Sequence, residues 1–158
     1  MLRREYVGQE SCSVARTLEI VGERWTWLIV RDAFLGLRRF DEFHASLGIA
    51  RNVLADRLGR LVEEGILERV LYEDRPTRYE YRLTEKGADL FTALNAIRQW
   101  GDTYLSEKPM RLLRLRSDGT PVVAALVPEG SPVLARDEIE LVRGPGYPRS
   151  RHETDTGR

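Results

Sequence analysis

From Val14 onward, apolar residues recur at helical spacing, and this pattern predicts two successive helices. The first apolar face consists of Val14, Leu18 and Val21, at positions i, i+4 and i+7. We expect the hydroxyls of Ser11 and Ser13 to cap this helix, and Gly22 to end it in the left-handed conformation. The next run, WTWLIVRDAFLG, is apolar on several faces. It therefore predicts a buried central helix.

Two further helices are predicted around a short turn. The run RRFDEFHASLG indicates a short helix with Asp41 as N-cap, Phe43 directed inward and Gly48 at its end. A longer helix follows from about Ala50 to Glu64, with Leu54, Leu58 and Leu61 on one face and Gly65 after it. Two helices joined by a turn of a few residues are typical of a helix-turn-helix.

After this helix the hydrophobic period changes from 3.6 to 2. The runs ILERVLY and RYEYRL are joined by EDRPT, and together they predict a β-hairpin. Thr84 is then expected to cap one long helix reaching to Lys108. Its apolar stripe includes Leu90, Leu94, Ile97, Trp100 and Tyr104, and is wider than one small domain requires. We interpret the stripe, with Leu18 of the first helix, as a dimer interface rather than an internal core face.

The last part of the chain has a different pattern. Pro109 follows the long helix and marks a boundary. Residues 108–148 contain short β-type runs around Asp118-Gly119 and Pro128-Glu129-Gly130, which predict a small β-hairpin or meander. The polar residues 149–158 are expected to be disordered. We thus predict a mainly α domain with a β-hairpin wing over 1–107 and a small β-rich extension over 108–148.

Composition limits the classes of function. The chain has 158 residues, a formal net charge of zero and one cysteine, Cys12, so an internal disulfide is excluded. No apolar run approaches the roughly 20 residues that cross a bilayer, and MLRREYVGQE lacks a signal-peptide core. We expect a cytoplasmic protein with no membrane partner, no metal and no cofactor. We see no catalytic constellation: His44 has no neighbouring nucleophile, and the protein is not expected to be an enzyme.

Several separated motifs resemble one protein family. These are the cysteine before the first helix, the junction GERWT, the segment RFDEF and the segment YRLTEKG that leaves the hairpin. Over about residues 10 to 105 they are similar to the HxlR-type bacterial transcriptional regulators. The resemblance implies a winged helix-turn-helix that binds double-stranded operator DNA as a homodimer and acts as a repressor or an activator. Of the two we expect a repressor.

Two features depart from that family's pattern. Ala50 and Ala55 stand where relatives often carry Ser or Thr, so the DNA sequence that is read does not transfer. The C-terminal extension resembles one in which relatives build a zinc ribbon from paired cysteines. Here no cysteine is present at the corresponding turns, so metal binding is expected to be lost.

The second helix of a helix-turn-helix presents its N-terminal residues to base edges in the major groove. Arg51 and Asn52 occupy that end, and Arg pairs with guanine and Asn with adenine. Arg60 is left open between DNA contact and a surface ion pair with its helical neighbours. Asp56 either reads a base or orients Arg57 or Arg60. All five are predicted DNA-site residues.

Three further arginines are predicted to contact DNA outside that helix. Arg75 and Arg78 lie at the tip of the wing, where they could reach a minor groove or the backbone. Glu73 and Asp74 oppose this, and a mixed-charge turn is the alternative. Arg39, before the short helix, is expected to contact a phosphate.

Cys12 precedes the first helix, where the helix dipole favours a thiolate. The resemblance implies a redox or electrophile sensor at this place, and a small apolar interface residue is the alternative. An unidentified small-molecule effector is a further candidate partner, although the aromatic residues of the helices are better explained as core. The competing function is a winged-helix module for protein contacts without DNA binding, which the zero net charge leaves open.

Overall fold

The computed structural model describes residue 6 and residues 8–147. The tail predicted for 149–158 lies outside these residues. The chain forms two compact units, one ending at Phe91 and the other beginning at Thr92. The predicted boundary at 107 remains a prediction. Within the described part, no helix has both the length and the apolar character needed to cross a lipid bilayer.

The first unit is a winged helix-turn-helix, so the predicted fold class is confirmed. Four helices come first: α1 (Ser13–Val21), α2 (Thr26–Phe34), α3 (Phe40–Leu47) and α4 (Arg51–Glu63). A hairpin follows, formed by β1 (Leu67–Asp74) and β2 (Thr77–Leu83). Strands β1 and β2 pair antiparallel from Leu67 and Leu83 to Asp74 and Thr77. Helix α5 (Glu85–Ala88) then leads into α6 (Leu90–Tyr104).

The core of this unit unites the helix-turn-helix with the base of the hairpin. Ile29 and Val30 from the central helix α2 are fully buried, as the sequence predicts. The remaining members come from α3, the turn, α4 and β1. They are Phe43, Ile49, Leu54, Leu58, Leu61, Ile66 and Leu67. Burial of large apolar side chains at about 1.5 to 3 kcal/mol each makes this cluster the main source of stability.

Three predicted helix ends differ in the structure. Helix α1 begins at Ser13, with Cys12 as N-cap and no capping side chain. The prediction that serine hydroxyls cap this helix was therefore wrong. Gly22 is right-handed, with φ −74°. A glycine suits it because a Cβ there would lie 2.4 Å from the carbonyl oxygen of Leu18. Helix α3 begins at Phe40, one residue before the predicted Asp41 cap.

Thr84 caps a helix as predicted, but the helix is α5 alone. Its Oγ accepts a hydrogen bond from the Gly87 amide at 3.1 Å and donates one to the Gly65 carbonyl at 2.6 Å. Asp89 forms a turn between the end of α5 and the start of α6. The single long helix predicted from the apolar stripe is therefore two helices.

The second unit contains most of α6 and the β-rich extension. Strands β3 (Arg111–Leu115) and β4 (Ile139–Arg143) pair antiparallel across a long intervening segment. Arg98 of α6 donates to the carboxylate of Asp102 and to the carbonyl of Arg111. The amide of Gln99 exchanges two hydrogen bonds with the backbone of Ala124. The polar side of α6 thus binds the extension.

Candidate nucleic-acid interface

Helices α3 and α4 are held at a fixed angle by the turn between them. Gly48 ends α3 in the left-handed conformation, with φ 62°, as predicted. Ile49 then enters the core and Ala50 is the N-cap of α4. Because glycine adopts positive φ without steric cost, the chain reverses within three residues. The first two residues of α4, Arg51 and Asn52, are exposed.

Helix α4 has one exposed face. Its exposed residues recur at helical spacing; they are Arg51, Asn52, Ala55, Asp56, Gly59 and Glu63. Small residues, Ala55 and Gly59, occupy the middle of this face, and a Cβ on Gly59 would meet nothing within 4 Å. A helix with small central residues can approach a groove closely, and Ala can contact a thymine methyl group. The sequence analysis noted Ala55 only as a departure from the family pattern and assigned neither position to the site, although the i, i+4 spacing of small residues was visible.

Arg51 is held in place at the start of α4. Its Nη1 lies 3.0 Å from Oδ1 of Asp41, and its guanidinium carbon lies 4.7 Å from the centre of the Phe40 ring. Both partners belong to the first turn of α3. The side chain of Arg51 stays 62% exposed, so its donors remain accessible to a ligand. Asn52 beside it is also exposed.

Arg57 and Arg60 lie on the flank of α4 and point toward the end of α1. Nη2 of Arg57 is 2.6 Å from Oε2 of Glu23, and Nη1 of Arg60 is 3.9 Å from Oε1 of the same carboxylate. Arg60 also donates to the carbonyl of Glu19. These contacts turn both arginines away from the exposed face. The sequence analysis placed both arginines in the DNA site and left Arg60 open between DNA contact and an ion pair with its helical neighbours. It did not anticipate Glu23 as a tertiary partner, and DNA contact by either arginine remains a prediction.

Asp56 is 70% exposed, and its Oδ2 lies 3.1 Å from Nη1 of Arg57. This geometry matches the predicted alternative in which Asp56 orients a neighbouring arginine. Asp56 also belongs to the exposed face, where a carboxylate repels phosphates and accepts hydrogen bonds from the cytosine amino group.

The tip of the wing carries two exposed arginines. Arg75 forms a cis peptide bond with Pro76 at the turn, and the strands extend further into the predicted EDRPT loop than expected. Nε of Arg78 lies 3.4 Å from Oε2 of Glu73, its cross-strand partner. The Arg78 side chain is 56% exposed. An exposed pair of this kind is worth about 0 to 1 kcal/mol, so the arginine can exchange its partner at little cost.

Arg39 joins the start of α3 to the wing. Its backbone bridges to Glu80 on β2, and the amide of Tyr81 donates to the Arg38 carbonyl at 2.7 Å. The guanidinium of Arg39 stacks over the Tyr72 ring at 4.7 Å and lies 3.8 Å from the Glu80 carboxylate. The side chain remains 54% exposed. This bridge fixes the wing relative to the helix-turn-helix.

The first turn of α3 is closed by Glu42. Its Oε2 accepts the amides of Arg38 and Arg39, each at 2.8 Å. These two hydrogen bonds hold the pKa of Glu42 below its ordinary value. The carboxylate therefore stays ionised and occupies the amides that open this helix. The phosphate contact predicted for Arg39 would have to come from its side chain.

The other predicted site residues lie outside the helix-turn-helix. Cys12 is half-buried at the N-cap of α1, and Leu18 of the same helix is 39% exposed. On α6, Leu90 and Leu94 are half-buried, and Leu90 packs on the core of the first unit. The more C-terminal positions are open. Ile97 is 50% exposed, Trp100 58% and Tyr104 70%.

Comparison with known proteins agrees with this geometry. A family model described as HxlR-like helix-turn-helix matches residues 20–109. The uncharacterized HTH-type transcriptional regulator Rv3095 of Mycobacterium tuberculosis is 46% identical over 142 residues, which cover 87% of this chain and 89% of the relative. The HTH-type regulator YvaP of Bacillus subtilis is 35% identical, covering 57% of this chain and 84% of the relative.

Solved structures give the same result. The crystal structure of PA1607, a candidate transcription factor, is 50% identical, with a TM-score of 0.69 and coverage of 82% of this chain and 93% of that one. The reduced form of the redox regulator HypR is 31% identical, with a TM-score of 0.54 and coverage of 57% and 90%. The family match spans more than half of the chain and includes the whole helix-turn-helix and wing. The chain belongs to the HxlR-like helix-turn-helix family of DNA-binding transcriptional regulators.

Proposed function

We propose that this protein is a homodimeric repressor that reads its operator with the exposed face of α4. The observation that carries the proposal is the composition of that face. Arg51 and Asn52 lie at its N-terminal end, and Ala55 and Gly59 leave its middle without bulk. Arg51 would donate two hydrogen bonds to a guanine and Asn52 would pair with an adenine.

Phosphate contacts would fix the position of the helix in the groove. The exposed guanidinium groups of Arg39, Arg75 and Arg78 flank α4 on the side of the wing. Such contacts position the protein without specifying sequence. Asp56 would read a base or orient its neighbour, as the sequence analysis left open.

A second copy of the chain would cover the apolar residues of α1 and α6. Leu18, Ile97, Trp100 and Tyr104 are exposed in one chain, although side chains of this size are usually buried. Leu90 and Leu94 would continue this surface. Two recognition helices related by a twofold axis would read half-sites about 34 Å apart.

Cys12 would make the repressor responsive to oxidants or electrophiles. It is the only cysteine, so oxidation must join it to a second chain or to a small-molecule thiol. The redox regulator HypR, which is similar in fold, has been solved in reduced and oxidised forms. Cys12 is half-buried at the N-cap of α1.

Footprinting on the promoter of the protein's own gene and its neighbours tests this function. We expect protection of two half-sites about one helical turn apart, and release on treatment with oxidant. Cys12→Ser should bind the same site and resist release. If Cys12→Ser is released equally well, the sensing role fails while the repressor role stands.

Salt dependence separates the proposed function from a module for protein contacts. A protein that neutralises phosphates loses affinity steeply as salt rises, with a slope of about −0.9 per phosphate in a plot of log K against log salt. We expect a steep slope and a preferred site. Weak coating of any DNA without a preferred site would refute operator recognition and favour the protein-contact module.

A further inference from the structure

A single carboxylate joins the recognition helix to the end of α1. The two oxygens of Glu23 face different arginines of α4: Oε2 lies 2.6 Å from Arg57 and Oε1 lies 3.9 Å from Arg60. Arg60 also donates to the carbonyl of Glu19 in the last turn of α1. Four residues, from α1, α4 and the segment between α1 and α2, thus form one polar clamp, which we call the Glu23 clamp: Glu19, Glu23, Arg57 and Arg60.

The Glu23 clamp is largely shielded from water. The side chain of Arg57 is 19% exposed, that of Arg60 22% and that of Glu23 33%. The Nε–H groups of both arginines are buried and donate to no acceptor within the described residues. Glu23 is the carboxylate that the two cations share, and Arg57 has a second partner in the exposed Asp56, at 3.1 Å. Without Glu23, Arg60 would lose its carboxylate partner, and an uncompensated charge is costly in a partly buried environment.

The backbone around Glu23 is fixed as well. Gly22 before it lies against the Leu18 carbonyl, and Trp25 after it is left-handed, with φ 78°. A non-glycine residue with positive φ is held there by its surroundings. The carboxylate is therefore presented from a rigid corner between α1 and α2.

The clamp acts on α4 away from the predicted base contacts. Arg57 and Arg60 lie on the flank of the helix, about two turns after Arg51. Tethering this half fixes the direction in which the N-terminal half projects. A small misplacement of groups that must meet base edges has a large effect on recognition.

We propose that Glu23 is a positioning residue for DNA recognition: through Arg57 and Arg60 it fixes the angle at which α4 presents Arg51 and Asn52. The proposal rests on the proposed reading of DNA by α4. In this proposal Arg57 and Arg60 contact Glu23 on the flank of α4 and do not contact phosphates.

The sign of the effect of Glu23→Gln on DNA binding tests the proposal. Removing a negative charge near DNA should strengthen binding if electrostatics alone matter. Positioning predicts the reverse: Glu23→Gln should lower the ratio of specific to non-specific affinity about fivefold or more. Glu85→Gln is the control, because Glu85 is an exposed carboxylate on α5, outside the exposed face of α4. It should leave that ratio unchanged.

Arg57→Lys provides a second variant that keeps the charge. Lys lacks the forked guanidinium, so we expect a lower specificity ratio for this variant. Arg57→Gln removes the charge: positioning predicts an unchanged salt slope, whereas loss of a phosphate contact would reduce the slope by about 0.9. Circular dichroism on each variant tests whether the fold is retained. Glu23→Asp keeps the carboxylate and should retain more of the specificity than Glu23→Gln.

The outcomes separate this proposal from the proposed function. If the wild-type protein prefers no DNA site, operator recognition fails and the positioning role fails with it. If the wild type has a preferred site and Glu23→Gln matches Glu85→Gln, only the positioning role is overturned. A reduced slope for Arg57→Gln would also overturn it, because Arg57 would then contact phosphate.

Discussion

Arg51 at the start of α4 forms an ion pair with Asp41 at the start of α3, with 3.0 Å between Nη1 and Oδ1. The pair joins the two helices of the helix-turn-helix at the end that we propose enters the groove. It orients the guanidinium over the Phe40 ring. It also places a carboxylate, 81% exposed, where phosphates would approach. The ion pair therefore has two opposing effects on DNA binding: it orients the Arg51 guanidinium, and its carboxylate repels phosphates.

Asp41→Asn should increase affinity for non-specific DNA and lower the preference for the operator. The substitution removes a repulsive charge and loosens Arg51. The melting temperature should change little, because an exposed ion pair contributes about 0 to 1 kcal/mol. Fluorescence anisotropy with operator and random duplexes measures both affinities. Lys86→Gln, which removes a charge on α5, is the control. Weaker binding to both duplexes would contradict this prediction.

Gly59→Ala should stabilise the protein and weaken operator binding. A Cβ there meets nothing within 4 Å, so the helix gains about 0.8 to 1 kcal/mol from the better helix former. The added methyl group lies on the exposed face of α4 and would hold the helix away from the groove. Urea unfolding and operator binding measure the two effects. Gly101→Ala controls for the gain in helix stability, and unchanged operator affinity for Gly59→Ala would contradict the close approach.

Gly87→Ala should have the opposite effect on stability. A Cβ at Gly87 would lie 2.1 Å from the backbone oxygen of Ile66, and backbone cannot rotate away as a side chain can. We expect a loss of about 1 to 3 kcal/mol or more from this overpacking. The same urea experiment compares it directly with Gly59→Ala. A stability equal to wild type would mean that α5 can shift away from the start of β1.

The contribution of Glu42 to stability should depend on pH. Its pKa is lowered in the folded protein because the Arg38 and Arg39 amides bind the carboxylate, so its stabilising effect is present above its ordinary pKa of 4.5 and is lost as pH falls through the folded value. Glu42→Gln should be less stable than wild type at pH 7, by about 0.3 to 1 kcal/mol. Thermal unfolding should show the difference shrinking well below pH 4.5. A constant difference would contradict this account.

Trp100→Ser should weaken self-association without unfolding the chain. Trp100 is 58% exposed on α6 and contacts Tyr104, with ring centres 5.4 Å apart. A central aromatic at an interface contributes about 2 kcal/mol or more, so the dimer dissociation constant should rise more than tenfold. Sedimentation velocity measures this constant. Leu126→Ser is the control, since Leu126 is fully exposed in the extension. An equal effect of both variants would argue against α6 as the interface.

The sequence alone was sufficient for the order and type of the elements from α1 to β2. Helical periodicity in α1 to α4 and the change to period 2 at β1 are local properties, and each buried face must meet a core. Gly48 and Gly65 similarly mark helix ends because only glycine adopts positive φ freely. The helix caps were harder to predict from the sequence. The start of α3 depends on Glu42, whose carboxylate accepts the amides of Arg38 and Arg39, and not on Asp41.

The tertiary structure decided which arginines of α4 are available to a ligand. Arg51, Arg57 and Arg60 belong to the same helix, and their side chains carry the same charge. Their partners come from different places: Asp41 from α3, and Glu23 from the corner between α1 and α2. Asp41 is 10 residues from Arg51 along the chain, and Glu23 is 34 residues from Arg57 and 37 from Arg60. Periodicity gives the face of a helix, but the pairing of distant charges is set only when the helices pack.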